Sequence, residues 1–300
     1  MKWCFGVKDI LHKGVSRFQD VELLETLPFG KVLLLDGKLQ SAEKDEYVYH
    51  ECLVHVAMLT HPNPKTVFVM GGGEGATVRE VLKHKTVERC VMVDIDDVVV
   101  DFCKKHLTDN QAAFNDPRLE LIIDDAKTQL EKFDGTCDVI IGDLADPVAG
   151  GPCYQLYTQK FYEEVVKRKL NPGGVFVTQS GPAGVLSHDQ VFSPIHNTIS
   201  KVFAKCVPFS QHVPSFADTW GWNMGLMDAN TKVPSADELD AAIAERIDGA
   251  LRFMDGEAYT SITSLCKSIR ETLRNETYVY SLENPRFIHG HGQETHSQYT

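Results

Sequence analysis

Asp143 and Asp146 stand three residues apart in GDLADP, where the apolar run CDVIIGDL (137–144) gives way to a loop. Three other apolar runs end on acids in the same way: VFVMGGGEGA (67–76) carries Glu74, CVMVDID (90–96) carries Asp94, and LELIIDDA (119–126) carries Asp124 and Asp125. In an open α/β sheet, ligands bind just outside the carboxyl ends of the strands. Four acidic strand ends therefore predict one crevice suited to a cation. Asp146, followed by Pro147, also reads as a turn starter or helix N-cap.

The glycine loop admits two readings. Gly71, Gly73 and Ala76 satisfy G-x-G-x-x-G/A, and Asp94 lies about 20 residues on, where a ribose-binding acid belongs, so a dinucleotide enzyme fits. Glu74 argues against it, because a carboxylate inside the loop repels a pyrophosphate approaching the helix N-terminus. A ligand without phosphates, bearing an amine or sulfonium, is favoured: S-adenosylmethionine or a derivative. The plainer alternative is a tight strand-to-helix turn with no ligand.

The chain that must position these groups has 300 residues, 43% of them hydrophobic, enough for one or two domains with a large core. Residues 1 to about 42 alternate as a β-meander, with a turn at Pro28–Gly30 and a hairpin at Asp36-Gly37. A helix is expected from about Lys44 to Thr60, before HPNP breaks it. From Thr66 strands and helices alternate, which predicts a mostly parallel doubly wound sheet. KCVPFSQHV and WGWNMGLMD lie too close for a crossover and are expected to pair antiparallel. Residues 231–300 read as a polar linker, one or two short helices and a partly disordered tail, HGHGQETHSQYT. The expected division is 1–60, a β-meander with its connecting helix, and 61–300, the catalytic unit with its helical extension and tail. No run approaches a membrane span or a signal-peptide core. Eight scattered cysteines without zinc spacing suit a reducing, cytoplasmic setting. The net charge of -12 disfavours nucleic acid and is compatible with a polycation.

FQD (18–20), LDGKLQ (35–40), DEYVYHE (45–51), HPNPKTV (61–67), GGGEGA (71–76) and GDLADP (142–147) together resemble the ordered motif set of the aminopropyltransferases, the spermidine synthase family. GGPCYQLYT (150–158), HVPSFADTWGW (212–222) and RFIHGHG (286–292) resemble the thermospermine-forming branch found in plants. The resemblance implies a Rossmann-like, methyltransferase-type α/β fold with a small N-terminal β-strand domain. It implies transfer of the aminopropyl group of decarboxylated S-adenosylmethionine, a co-substrate, to spermidine, giving thermospermine and methylthioadenosine without a metal or resident cofactor. Asp143 takes the role of base. Gln19, His50, Gly71, Gly73, Glu74, Asp94, Asp125 and Ala126 become donor-binding residues, with Asp124 the alternative to Asp125 on the reasoning that strand alternation lets only one point inward. Tyr49, Asp146, Gln179 and Phe216 become acceptor-binding residues.

Two departures from the spermidine synthase pattern bear on the acceptor. His50 stands where those enzymes carry glutamine, and Phe216 where they carry an acceptor-binding tyrosine; His50 read alone is also a plain helix-face residue. Family members pair or tetramerise through the N-terminal region, so a homodimer or homotetramer is expected, with Leu33 and Leu35 among the apolar residues needing cover. The loop 150–158 is expected to act as a flexible gate. A spermidine or spermine synthase, or a non-catalytic polyamine-binding subunit, are the alternative readings.

Overall fold

The alternating N-terminal run folds into a four-stranded antiparallel sheet, β1 (Val7–Val15), β2 (Asp20–Thr26), β3 (Gly30–Leu35) and β4 (Lys38–Ala42), in that spatial order. Asp36 and Gly37 both take positive φ, 50° and 67°, the conformation a two-residue hairpin needs between right-twisting strands. This is a computed structural model that describes residues 4–149 and 151–287. One face of the small sheet packs Val21, Leu23 and Leu33 against Val99, Phe102 and Cys103. Leu33 is therefore buried and Leu35 packs against the same cluster, contrary to the expectation that they need an external cover. The exposed apolar residues lie on β1 instead: Val7, Ile10, Leu11 and Val15.

The larger sheet has seven strands. After α1 (Glu46–Thr60) come β5 (Thr66–Gly71), α2 (Ala76–Leu82), β6 (Arg89–Asp94), α3 (Asp97–His106), α4 (Gln111–Phe114), β7 (Leu119–Ile123), α5 (Ala126–Lys132), β8 (Cys137–Asp143), β9 (Leu170–Pro182), β10 (Lys205–Val213) and β11 (Asp218–Leu226). Their order is β10-β11-β9-β8-β5-β6-β7, with β9 through β7 parallel and the last two strands antiparallel, as their short connection requires. The chain winds one way from β5 to β7 and the other from β8 to β9, so the switch point falls between β5 and β8. Gly71 pairs directly with Asp143 there.

Several elements depart from the pattern reading. Every residue of α1 from Val48 to Thr60 is buried, and its apolar residues share a core with β5, β9, β10 and β11. A helix enclosed on all sides shows no amphipathic stripe. It begins at Glu46 rather than Lys44. The helix α5, between β7 and β8, was not anticipated; it is a single short element capped by Asp125, too short to print a periodicity. The helix expected over 159–170 contains a π turn, Tyr162–Val166, between Gln159–Phe161 and Lys167–Lys169, and Phe161, Tyr162, Val165 and Val166 are all buried.

Three C-terminal helices follow, Ala236–Arg246, Gly256–Thr263 and Lys267–Asn275, where one or two were expected. Glu51 of α1 ties this extension down by accepting N–H bonds from Arg252, Phe253 and Met254, each at 2.8 Å. The tail HGHGQETHSQYT, and the motif RFIHGHG beyond Phe287, lie outside the described residues. Among the described residues, no helix is long and apolar enough to cross a membrane.

Candidate active site

The end of β8 and the start of the glycine loop build the centre. Asp143 Oδ1 accepts from the Tyr49 hydroxyl at 2.8 Å and Oδ2 from the Thr77 hydroxyl at 2.5 Å. A carboxylate has about four acceptor sites, so each oxygen keeps one for a further donor. Burial, reinforced by the Asp143 charge, raises the Tyr49 pKa well above the usual tyrosine value, so its proton stays in place. Gly71 cannot be replaced without moving this acid: it has φ +79°, and a Cβ there would lie 2.2 Å from the Asp143 carbonyl oxygen. The Gly72 N–H donates to that carbonyl at 3.2 Å.

Asp94, at the end of β6, accepts from the N–H groups of Gly73 and Asp96, both at 2.9 Å. Two successive loop amides are thus committed to Asp143 and Asp94, which takes them out of any phosphate cradle and supports a ligand without pyrophosphate. Burial raises the Asp94 pKa against the pull of those two N–H bonds. Gln19, from the small sheet, donates to Asp96 at 2.9 Å, and Ser16 reaches the same oxygen at 2.6 Å. Asp125 caps α5 by accepting from Thr128 N–H at 2.7 Å, and Ala126 is the buried first residue of that helix. Asp124 is exposed and occupied by Asp125 N–H and Gln129. Both acids follow the last strand residue, Ile123, so alternation along β7 does not decide between them.

His50 joins α1 to the glycine loop. Its Nε2 lies 2.8 Å from Glu74 Oε1, and its Nδ1 lies 2.8 Å from both the Glu46 carbonyl and Glu46 Oε2. Arg79 holds the other side of Glu46 at 2.9 Å and reaches Glu80 at 2.8 Å. Burial would lower the His50 pKa, but the flanking carboxylates win and raise it well above its ordinary value. Glu74, buried at 9% exposure, therefore does not stand as a bare carboxylate. Glu46, His50 and Glu74 place their ligand atoms within 4.8 Å of one another, close enough to hold a metal. The imidazolium and the Arg79 guanidinium already supply positive charge to both carboxylates.

A second group of polar and aromatic side chains lies beyond Asp143. Gln179, on β9, donates to Asp146 at 3.1 Å, to the Leu144 carbonyl at 2.6 Å and to the Tyr157 hydroxyl at 2.8 Å; its amide oxygen accepts from Gly181 N–H and the Trp220 indole. Phe216 sits in a short turn, Pro214–Phe216, edge-on to Tyr49 at 5.8 Å and to Trp220 at 4.7 Å, while Tyr49 meets Trp222 at 5.6 Å. Phe216 and the fully buried Trp222 thus both contact Tyr49, the hydroxyl partner of Asp143, and Trp220 packs on Phe216.

Some contributors escaped the pattern reading. Thr77, Asp96, Glu46 and Arg79 lie in ordinary helix or turn sequence; only the i,i+4 spacing of Glu46 and His50 carried a signal. Asp45 looked like part of a helix start, yet its carboxylate accepts Ser215 N–H at 2.7 Å and pins the Phe216 turn to α1. In the 150–158 loop, expected to act as a gate, Gly150 lies outside the described residues. Tyr154–Tyr157 form a 3-10 turn with Tyr154, Leu156 and Tyr157 buried, and Tyr154 packs on Tyr280 and Phe287.

Comparison with known proteins agrees with this geometry. The spermine/spermidine synthase domain profile matches residues 46–237, and the spermidine synthase tetramerisation domain profile matches residues 1–43. The chain is 56% identical to thermospermine synthase ACAULIS5 of Arabidopsis thaliana, over 97% of this chain and 86% of the relative. It is 42% identical to a polyamine aminopropyltransferase of Sulfurisphaera tokodaii, over 93% and 92% of the two chains. A crystal structure of spermidine synthase in complex with the transition state analogue AdoDATO superposes with a TM-score of 0.82 at 29% identity, covering 91% of this chain and 90% of that one. With a matching profile over most of its length and a site assembled at the same switch point that its motifs mark, the chain belongs to the spermine/spermidine synthase family.

Proposed function

We propose that the protein moves the aminopropyl group of decarboxylated S-adenosylmethionine to spermidine, producing thermospermine and methylthioadenosine. The observation that carries this reading is the Asp143 carboxylate, fixed by Tyr49 and Thr77 beside the glycine loop, with aromatic rings leading away from it. Asp94 holds the ribose hydroxyls, Asp125 with the Ala126 N–H the adenine edge, and Glu74 the aminopropyl ammonium. Gln19 acts through Asp96 to set the small sheet against this pocket.

A primary ammonium has no lone pair to attack with, and removing its proton near neutral pH costs about 4 to 5 kcal/mol. Asp143 takes that proton; the nitrogen lone pair then attacks the carbon beside the sulfonium, the C–S bond breaks, and its electrons leave on sulfur as a neutral thioether. Positioning supplies much of the acceleration because the leaving group is already activated. Asp146 binds the acceptor amine next to the attack point, and Gln179, buried and fully bonded, orients Asp146 rather than touching the acceptor. The half-buried Phe216 and Trp220 rings suit the alternating methylenes and ammoniums of a triamine.

The 56% identity to a thermospermine synthase and the Phe216 ring, which offers no hydroxyl to a short diamine, support spermidine as acceptor. The test is methylthioadenosine release: it should appear with decarboxylated S-adenosylmethionine plus spermidine and be absent with S-adenosylmethionine plus spermidine. No release with the decarboxylated donor overturns the reading.

A further inference from the structure

His50 is a charged residue in the path of a charged substrate. Both ring nitrogens face carboxylates at 2.8 Å, Glu46 on one side and Glu74 on the other, and the side chain is 3% exposed. A proton on each nitrogen suits carboxylates in those positions, and they raise the ring's pKa well above its ordinary value, which favours the imidazolium. The groups around it come from every packed element. Glu46 lies on its own helix, Glu74 on the loop after β5, and Arg79 on α2 against Glu46. Asp143 on β8 is reached through Tyr49, and Cys103 on α3 is a thiol that burial keeps protonated. Counting Glu46, Glu74 and Glu80 against His50, Arg79 and Lys83, the cluster is neutral before any ligand enters.

An ammonium delivered to Glu74 meets the His50 Nε2–H already there. If the ring keeps that proton, the ammonium leaves a balanced, buried cluster with an uncompensated positive charge, which is costly away from water. If the ring loses it, the cluster regains its charge balance, and Nε2 presents a lone pair to the ammonium while Nδ1–H stays on Glu46. We propose that donor binding is a cation exchange at Glu74, in which the donor's ammonium displaces one proton from His50 to solvent and then donates a hydrogen bond to the bared Nε2. This rests on the reading that the aminopropyl end of the donor lies at Glu74. It gives His50 a specific role in donor selection: a tail that brings no net positive charge to Glu74 cannot compensate for the lost proton.

The sign of the pH dependence follows. The flanking carboxylates keep the ring protonated above its ordinary pKa of 6.5, and the bound ammonium removes that support. Between the ring's bound-state and free-state pKa values, donor affinity rises about tenfold per pH unit, and it levels off once the free ring is neutral. Glutamine at this position offers a hydrogen-bond acceptor without a titrating proton.

Isothermal titration calorimetry at about pH 7, in buffers of different ionisation enthalpy, counts the protons released. Decarboxylated S-adenosylmethionine should release about one proton from the parent protein, and methylthioadenosine, which has no ammonium, should release none. His50→Gln should bind the decarboxylated donor with no release and a flat pH dependence. Equal release by both ligands, no release by the donor, or unchanged release in His50→Gln overturns the exchange. The two-ligand comparison on the parent decides the matter if the variant does not fold. A donor that binds and turns over with spermidine but releases no proton removes the exchange alone, whereas a donor that neither binds nor yields methylthioadenosine removes the functional reading with it.

Discussion

Asp143 keeps its place through two hydroxyl donors and a backbone bond to the glycine loop, so the isosteric change Asp143→Asn leaves those contacts largely available. Turnover should fall about 100-fold or more, the scale of losing a general base, while calorimetric donor affinity stays within a few-fold. Near-native turnover would take the base role away from Asp143. Phe216 tests the acceptor side: Phe216→Tyr adds a hydroxyl to a ring packed against Tyr49 and Trp220, and should raise putrescine use relative to spermidine, read as the ratio of the two kcat/KM values. An unchanged or lowered ratio would remove Phe216 from acceptor choice. Asp143 and Asp94 were visible as residues because a carboxylate at the end of an apolar run is conspicuous. Thr77 and Asp96 were not, since a hydroxyl or acid at a helix start is ordinary sequence.

At the scale of elements, α1 carries Tyr49, His50, Glu46 and Glu51 and is enclosed on every side, so its ionic contacts bear on stability as well as on ligand binding. Burial pushes the Glu46 carboxyl upward, but the His50 bond and charge and the Arg79 charge bring it down from 4.5 to about 2. A depressed folded-state value contributes stability above the unfolded value and loses it as pH falls toward the folded one. That amounts to on the order of 3 kcal/mol lost on acidification from about pH 5 to pH 2. His50 has the opposite sign: its raised value contributes below the ordinary 6.5 and fades as pH rises through the folded-state value. Urea unfolding of Glu46→Gln should therefore show a flatter acid limb than the parent; identical acid limbs would contradict the assignment. The turn carrying Phe216 hangs on Asp45, and Asp45→Ala leaves the buried Ser215 N–H without its acceptor, at a cost of about 1 to 3 kcal/mol. Urea denaturation checks it, and a change below a few tenths would mean the turn relaxes freely. Strands β5 to β9 were legible because parallel strands read as continuous apolar runs. The start of α1, the short α5 and the π turn at Tyr162–Val166 were not, because enclosure erases periodicity and single turns print none.

Across the whole molecule, two sheets meet just past the end of β6 through the Gln19–Asp96 and Ser16–Asp96 bonds, and β1 leaves Val7, Ile10, Leu11 and Val15 facing outward on an unpaired edge. Such an edge favours association, and the N-terminal 43 residues match a tetramerisation domain profile. Light scattering at micromolar concentration should report at least a dimer, and Ile10→Asp should shift it toward monomer; a monomeric parent would contradict this. Under the proposed function, Asp143 and Asp146 meet the acceptor's ammoniums and Phe216 withholds a hydroxyl from a short diamine. The most direct test is to incubate the protein with decarboxylated S-adenosylmethionine and, separately, putrescine, spermidine and spermine, and to resolve the products by chromatography against thermospermine and spermine standards. The account predicts that spermidine is used far better than putrescine and that the tetraamine co-elutes with thermospermine. Spermidine formed from putrescine as efficiently as any tetraamine, or a tetraamine that co-elutes only with spermine, would contradict it.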